Sequence, residues 1–183
     1  DPVPPPLRLL KQSGTIFRDM MIHDFDLARF YLGKDEFSSI FATGSNISDK
    51  RFNKLKDFEL ATCVIKSKKG VQCIITNSRH CSFGYDQRVE IFGSKGMIIS
   101  NNKTPTSVER YNQEGTFMKE PIYDFFIERY DGAYKNQLDD FIDSIVNKKQ
   151  PSVSFKDGQI AIVIANAAYD SLQNKTSVKI KYD

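Results

Sequence analysis

The 183-residue sequence carries 26 Lys and Arg against 23 Asp and Glu, a net charge of +3, with 40% apolar residues, 14 Phe and no Trp. That suffices for a hydrophobic core of ordinary domain size, while the cations are too scattered for a nucleic-acid surface. No apolar run approaches the ~18 residues of a membrane-spanning helix, and no secretory signal pattern is present.

Residues 1–14 open on Asp-Pro-Val-Pro-Pro-Pro. Proline fixes φ and removes a donor, so this Pro-rich leading segment is predicted to be extended, a linker or an edge strand. Residues 15–183 are read as one domain. The first helix is predicted at about 18–32, stopping at Gly33. Strand patterns follow from about 36 to 118. Phe37–Gly44 alternates, and Phe58–Lys66 and Val71–Arg79 flank Lys68-Lys69-Gly70 as a hairpin. Gln87–Phe92 and Met97–Ser100 flank Gly93–Gly96 as a second hairpin, and Thr106–Tyr111 is a further strand. From 124 the period returns to that of a helix, through Phe125, Tyr130, Leu138, Phe141 and Ile145, ending before Pro151. Asp157 reads as the N-cap of another helix through Leu172, and Thr176–Tyr182 as a last strand. Strands segregated from helices predict an α+β fold, a large, mostly antiparallel open sheet with helices on one face. The other face is then solvated or covered by another subunit.

The segment Asp19–Gly33 holds most of the chemistry. Met20, Ile22, Phe25, Leu27, Ala28, Phe30 and Leu32 leave it no broad polar face, which predicts a buried helix. Asp19, His23 and Asp26 nevertheless share one side, within roughly a 60° arc at ~100° per residue. A histidine beside carboxylates is a unit for moving protons. Spacing alone favours a plainer reading, with Asp19 capping the helix and His23 a satisfied core histidine. Tyr85, in Gly84-Tyr85-Asp86-Gln87-Arg88 at a strand start, either offers its hydroxyl to a ligand or packs its ring in the turn, and composition favours packing. Asn77, Arg79 and His80 are placed mostly on the outer sheet face. Gly93-Ser-Lys-Gly96 is not a phosphate loop, and no G-x-G-x-x-G or G-x-S-x-G occurs. Cys63, Cys73 and Cys81 are odd in number with no CxxC, which predicts free thiols in a reducing, cytoplasmic compartment. Neither His23 nor His80 has zinc-site spacing. The chain begins at Asp1 without Met, as expected of a piece of something longer.

The stretch Ser13-Gly14-Thr15-Ile16-Phe17-Arg18-Asp19-Met20-Met21-Ile22-His23-Asp24-Phe25-Asp26-Leu27-Ala28-Arg29-Phe30 resembles the signature of the inositol 2-dehydrogenases. These belong to the glucose–fructose oxidoreductase, inositol dehydrogenase and rhizopine catabolism (Gfo/Idh/MocA) family. Asn77–Arg79, Gly84–Gly96, Phe126–Tyr130, Asp157-Gly158 and Ala167–Tyr169 are similar in the same order, so the resemblance spans nearly the whole chain.

The resemblance implies the C-terminal α+β domain of a two-domain enzyme whose Rossmann domain, with its NAD or NADP fingerprint, is absent from this chain. It implies a polyol dehydrogenase in which His23 takes the substrate hydroxyl proton, Asp19 orients the substrate, and Tyr85 and Met20 contact the polyol. Cofactor residues would be absent here, apart from Asp19 or His23 near the nicotinamide. The fragment alone would be inactive, and the open sheet face would form a homodimer or homotetramer. No metal, nucleic acid or membrane enters this reading. Thr15 stands where the family has the second Gly of S-G-G, and Met21 where it has Thr, which puts substrate identity in question more than reaction type. The alternatives are a dehydrogenase of another sugar or dihydrodiol, or a non-catalytic binding or assembly module of the same fold.

Overall fold

Helical and strand periods alternate along residues 1–182, which the computed structural model describes. In chain order the elements are α1 (Leu7–Ser13), α2 (Ile16–Asp19), α3 (Met21–Leu32), β1 (Phe37–Ser45), α4 (Arg51–Leu55), β2 (Leu60–Ser67) and β3 (Gln72–Ser78). Then come β4 (Val89–Gly93), β5 (Gly96–Ser100), β6 (Glu109–Asn112), β7 (Gly115–Lys119), α5 (Phe126–Arg129), α6 (Asp131–Val146), α7 (Phe155–Asn174) and β8 (Val178–Lys179). They form two compact units, one of Pro5–Ser78 with the chain from Gln150 on, the other of Asp1–Pro4 with Arg79–Lys149.

The larger unit is an antiparallel sheet in the order β3-β2-β1-β8. Strand alternation sends Ile40, Ala42, Ala61, Cys63, Ile65 and Ile75 to one face, where they are buried. Against them pack Ile16 and Phe17 of α2, Met21 and Phe25 of α3, and Ile164, Ala165 and Ala168 of α7. Each large side chain buried there contributes about 1.5–3 kcal/mol. The opposite face carries Phe41, Val64 and Ile74 directly across from one another in register, all exposed. Ser171 ties α7 to the sheet, its Oγ accepting from the Ala42 N–H at 3.0 Å.

The smaller unit holds two hairpins, β4–β5 and β6–β7, with α5 and α6. The antiparallel strands of the chain are therefore divided among a four-stranded sheet and two ribbons. The apolar stripe of α6, including Leu138, Phe141 and Ile145, is exposed.

Several local expectations are corrected. The leading segment is not extended throughout, because its prolines precede a helix rather than interrupt it. The Pro6 carbonyl accepts from Leu9 and Leu10, and Gly14, at φ 83°, closes α1 in the left-handed conformation that glycine tolerates. The first predicted helix is broken at Met20 (φ −121°, ψ −59°) into α2 and α3. Nor is α3 buried all round. Met21 and Phe25, one turn apart, face the core, while Phe30 and Tyr31 are exposed. The helix after 124 is likewise interrupted, at Tyr130. Ser154, not Asp157, is the N-cap of α7; Asp157 is the N3 member of a capping box and accepts from the Ser154 N–H at 2.7 Å. The last strand shortens to Val178–Lys179, and α4 and β7 were not foreseen.

A candidate active site at the break between two helices

Asp19 is the last residue of α2, half-buried, and His23 lies in the first turn of α3, exposed. Met20 between them belongs to neither helix. Its N–H donates to the Ile16 carbonyl at 3.1 Å, closing α2, and its own carbonyl accepts from His23 N–H at 3.3 Å, opening α3. His23 is thus no core histidine, and Asp19 does not occupy an N-cap. The third carboxylate of the stripe turns away, since Asp26 Oδ1 accepts from Arg29 Nε at 3.0 Å and Nη2 at 2.9 Å. Met20 is half-buried against the core edge.

Four contacts hold this segment. Arg18 Nε donates to Asn166 Oδ1 at 2.7 Å, and its guanidinium lies 5.7 Å from the centre of the Tyr169 ring, fastening α2 to α7. Arg29 Nη1 pairs with Asp157 at 3.0 Å, fastening α3 to the start of α7. Asn77 Nδ2 donates to Asp24 Oδ2 at 2.8 Å, fastening α3 to β3. Asp57 Oδ1 accepts from the Ile16 N–H at 2.7 Å, at the first residue of α2. None of these four was foreseen. Asn77 was placed on the outer sheet face, but its partner in register is Ala61, which faces the helices, so Asn77 faces them too. Arg79 is fully buried as well, and His80 is exposed as expected.

Besides Asp57, the Glu59 carboxylate is buried. Burial opposes ionisation of Glu59, but the N–H groups of Ser48, Asp49 and Ile47 outweigh it and hold its carboxyl below the usual value. Burial, with Cys73 nearby, pushes the Cys63 thiol up to about 12, so the free thiol stays protonated at neutral pH. No group of three His, Cys, Asp or Glu among the described residues is placed to hold a metal ion.

Tyr85 belongs to the smaller unit. Its N–H donates to the Tyr123 carbonyl at 2.9 Å, and its ring packs edge-on against Tyr130, centroids 5.8 Å apart. Gly84 before it has φ 121°, and a Cβ there would meet Ile122 at 2.7 Å, so only glycine lets the turn approach this closely. Beyond it, Asp86 accepts from Arg88 at 2.7 and 2.8 Å and from Asn102 at 2.6 Å, and Arg88 leads in holding its carboxyl below the usual range.

No G-x-G-x-x-G run, the mark of a dinucleotide-binding phosphate cradle, occurs in the sequence. Two surface depressions of the larger unit, one beside Asn166, Asp170 and Lys179, the other beside Arg29, Glu36 and Lys156, include neither Asp19 nor His23. His23 is exposed and Asp19 half-buried. No helix of the described residues is long and apolar enough to cross a membrane.

Helices laid on one face of an antiparallel sheet, with an aspartate and a histidine at a helix break, define an α+β domain. The GFO/IDH/MocA C-terminal domain family matches residues 2–99, more than half of the chain, and the chain belongs to that family. It is 42% identical over 181 residues to the myo-inositol 2-dehydrogenase of Thermotoga maritima, covering 99% of this chain and 54% of that protein. Among solved structures, a myo-inositol dehydrogenase from Corynebacterium glutamicum matches with a TM-score of 0.94 and 42% identity, over 99% of this chain and 54% of that one. A scyllo-inositol dehydrogenase from Lactobacillus casei, solved with bound NAD(H) and scyllo-inositol, matches with a TM-score of 0.86 and 25% identity, over 95% of this chain and 51% of that one. The chain spans about half the length of these relatives.

Proposed function

We propose that this chain is the substrate-binding and catalytic half of an NAD-dependent polyol dehydrogenase that oxidises a ring hydroxyl of an inositol to the ketone. One observation carries the reading: His23 is exposed at the start of α3, one residue run after a half-buried Asp19, in a chain 42% identical to a myo-inositol 2-dehydrogenase. His23 accepts the hydroxyl proton as the carbonyl forms, which the open position of its imidazole allows. Asp19 orients the substrate hydroxyl and the imidazole. Met20 supplies a further contact to the polyol.

A sequence without G-x-G-x-x-G fits a chain that meets only the nicotinamide end of the cofactor, at Asp19 or His23. When bound, NAD supplies the hydride acceptor for the hydrogen on the same carbon. The exposed imidazole of His23 suits a site completed by the remainder of a chain as long as the relatives. The exposed register row Phe41, Val64 and Ile74 supports a homo-oligomer through the outer sheet face. Three free cysteines suit the cytoplasm.

The test is nicotinamide absorbance with the full-length protein, NAD or NADP, and a panel of myo-inositol, scyllo-inositol and glucose. Reduction with an inositol that drops at least about a hundredfold in His23→Ala and Asp19→Asn is expected. Turnover unaffected by His23→Ala would overturn the reading.

A further inference from the structure

Between the sheet and α2 lies a buried carboxylate that the proposed chemistry does not use. Asp57 is 2% exposed. Its Oδ1 accepts from the Ile16 N–H at 2.7 Å and from its neighbour Phe58 N–H at 2.8 Å. Ile16 opens α2, whose own N-cap, Thr15, makes no side-chain cap bond. The Arg18 and Asp19 N–H groups both donate to the Thr15 carbonyl, whereas the Ile16 N–H, at the helix start, has no acceptor within the helix. A carboxylate 41 residues away does the work that an N-cap side chain ordinarily does, and it places negative charge where the helix end favours it.

Asp57 is itself held. Its N–H donates to the carbonyl of Phe52, in the first turn of α4, at 3.1 Å, and its carbonyl accepts from Asn46 Nδ2 at 3.0 Å. Asn46 Oδ1 accepts from the Glu59 N–H at 2.8 Å, and the Glu59 carboxylate gathers the N–H groups of Ser48 and Asp49 at 2.6 and 2.7 Å. The loop before α4 and the start of β2 are thereby locked around Asp57, which accepts from the first N–H of α2. Three residues beyond that donor stands Asp19, at the other end of the same turn.

We propose that Asp57 is a positioning residue: by capping α2 from outside, it fixes the turn that presents Asp19 beside His23. The proposal rests on the dehydrogenase reading above. A residue placed one helical turn from the reacting group acts on the orientation of that group, so its loss falls on kcat more than on KM.

The experiment uses the full-length protein, with myo-inositol and NAD, and compares Asp57→Ala and Asp57→Asn with His23→Ala. Rates are normalised to folded, NAD-retaining molecules, and exchange of the Ile16 amide hydrogen is followed in each. Asp57→Ala is expected to lower kcat about tenfold or more, with KM within about threefold, and to speed Ile16 exchange. Asp57→Asn keeps an oxygen acceptor and is expected to restore kcat to within about threefold, with Ile16 exchange near the parent rate. If Asp57→Ala does not fold, Asp57→Ser, too short to reach Ile16, takes its place with the same expectation. An unchanged kcat in the truncated variant while His23→Ala is inactive overturns the role of Asp57 alone. So does a kcat lost in Asp57→Asn with Ile16 exchange unchanged. An active His23→Ala overturns the dehydrogenase reading, and this proposal with it.

Discussion

Met21 Sδ lies 3.3 Å from Cys63 Sγ, the thiol donating, and both side chains are fully buried between α3 and β2. The sequence resemblance places threonine at this position, which raised the question of an altered substrate. The structure turns Met21 into the core, away from the surface that carries His23. Its consequence is for packing, where the long thioether fills the space over Cys63. Met21→Thr is expected to cost about 2–4 kcal/mol, from the lost volume and a hydroxyl set among apolar neighbours. Polyol preference should not change. Urea unfolding of the variant, with the substrate panel run on the full-length protein, checks both halves.

Thr15 has φ 78° and ψ 167°, a backbone region that is essentially glycine's. Its Oγ1 is buried with no hydrogen-bond partner in the structure. Thr15→Gly removes the strain and the unsatisfied hydroxyl, and adds back some freedom to the unfolded chain. The net expectation is a gain of about 1 kcal/mol, read as a higher midpoint of urea unfolding. A lower midpoint would mean that the threonine makes favourable contacts exceeding the strain.

Asp157 serves two partners at once, the Ser154 cap and Arg29 of α3. The Ser154 hydroxyl, then the Ser154 N–H, and then Arg29 hold its carboxyl below its ordinary value of 3.8, against a smaller opposing effect of burial. A carboxyl lowered in the folded state stabilises it fully at pH above the unfolded value, and that stability is lost as the pH falls through the folded value. Asp157→Asn is therefore expected to be less stable than the parent by about 1 kcal/mol at neutral pH. The difference should close only as the pH falls below 3.8. Thermal melts of the pair across that range give the answer.

The sheet, its hairpins and α7 were legible because their periods are local: Val64 and Ile74 alternate with Cys63, Ile65 and Ile75 in the sequence as they do in space. Asp19 and His23 were visible as polar residues against an apolar background. The break at Met20 was not, since nothing in Asp-Met-Met-Ile-His forbids helix. It follows from α2 and α3 packing on different parts of the core. The Pro-rich start was misread because prolines before a helix and prolines within a linker look alike in composition. Asp57 and Asn77 were hidden for another reason. Their partners, Ile16 and Asp24, are 41 and 53 residues away, and only the folded sheet brings them together.

Asn77 offers the sharpest electrostatic test of how α3 is held. Its Nδ2 donates to Asp24 Oδ2 at 2.8 Å, while its Oδ1 is buried with no hydrogen-bond partner in the structure. Asn77→Asp keeps the shape and replaces the donor with a second carboxylate. With both groups ionised, the two face each other across a partly buried gap, and one of them must rise in pKa. A carboxyl raised in the folded state destabilises it above the unfolded value, and the penalty fades as the pH falls and the shared proton binds. The variant is expected to lose about 1–3 kcal/mol at neutral pH and to approach the parent near pH ~4. Asn77→Leu removes the donor without adding a charge and should show a loss that varies less with pH over the same interval. Urea unfolding of both variants at neutral and acidic pH separates the two. A pH-independent loss in Asn77→Asp would mean that Asp24 is neutralised by another group and that the amide holds α3 by shape alone.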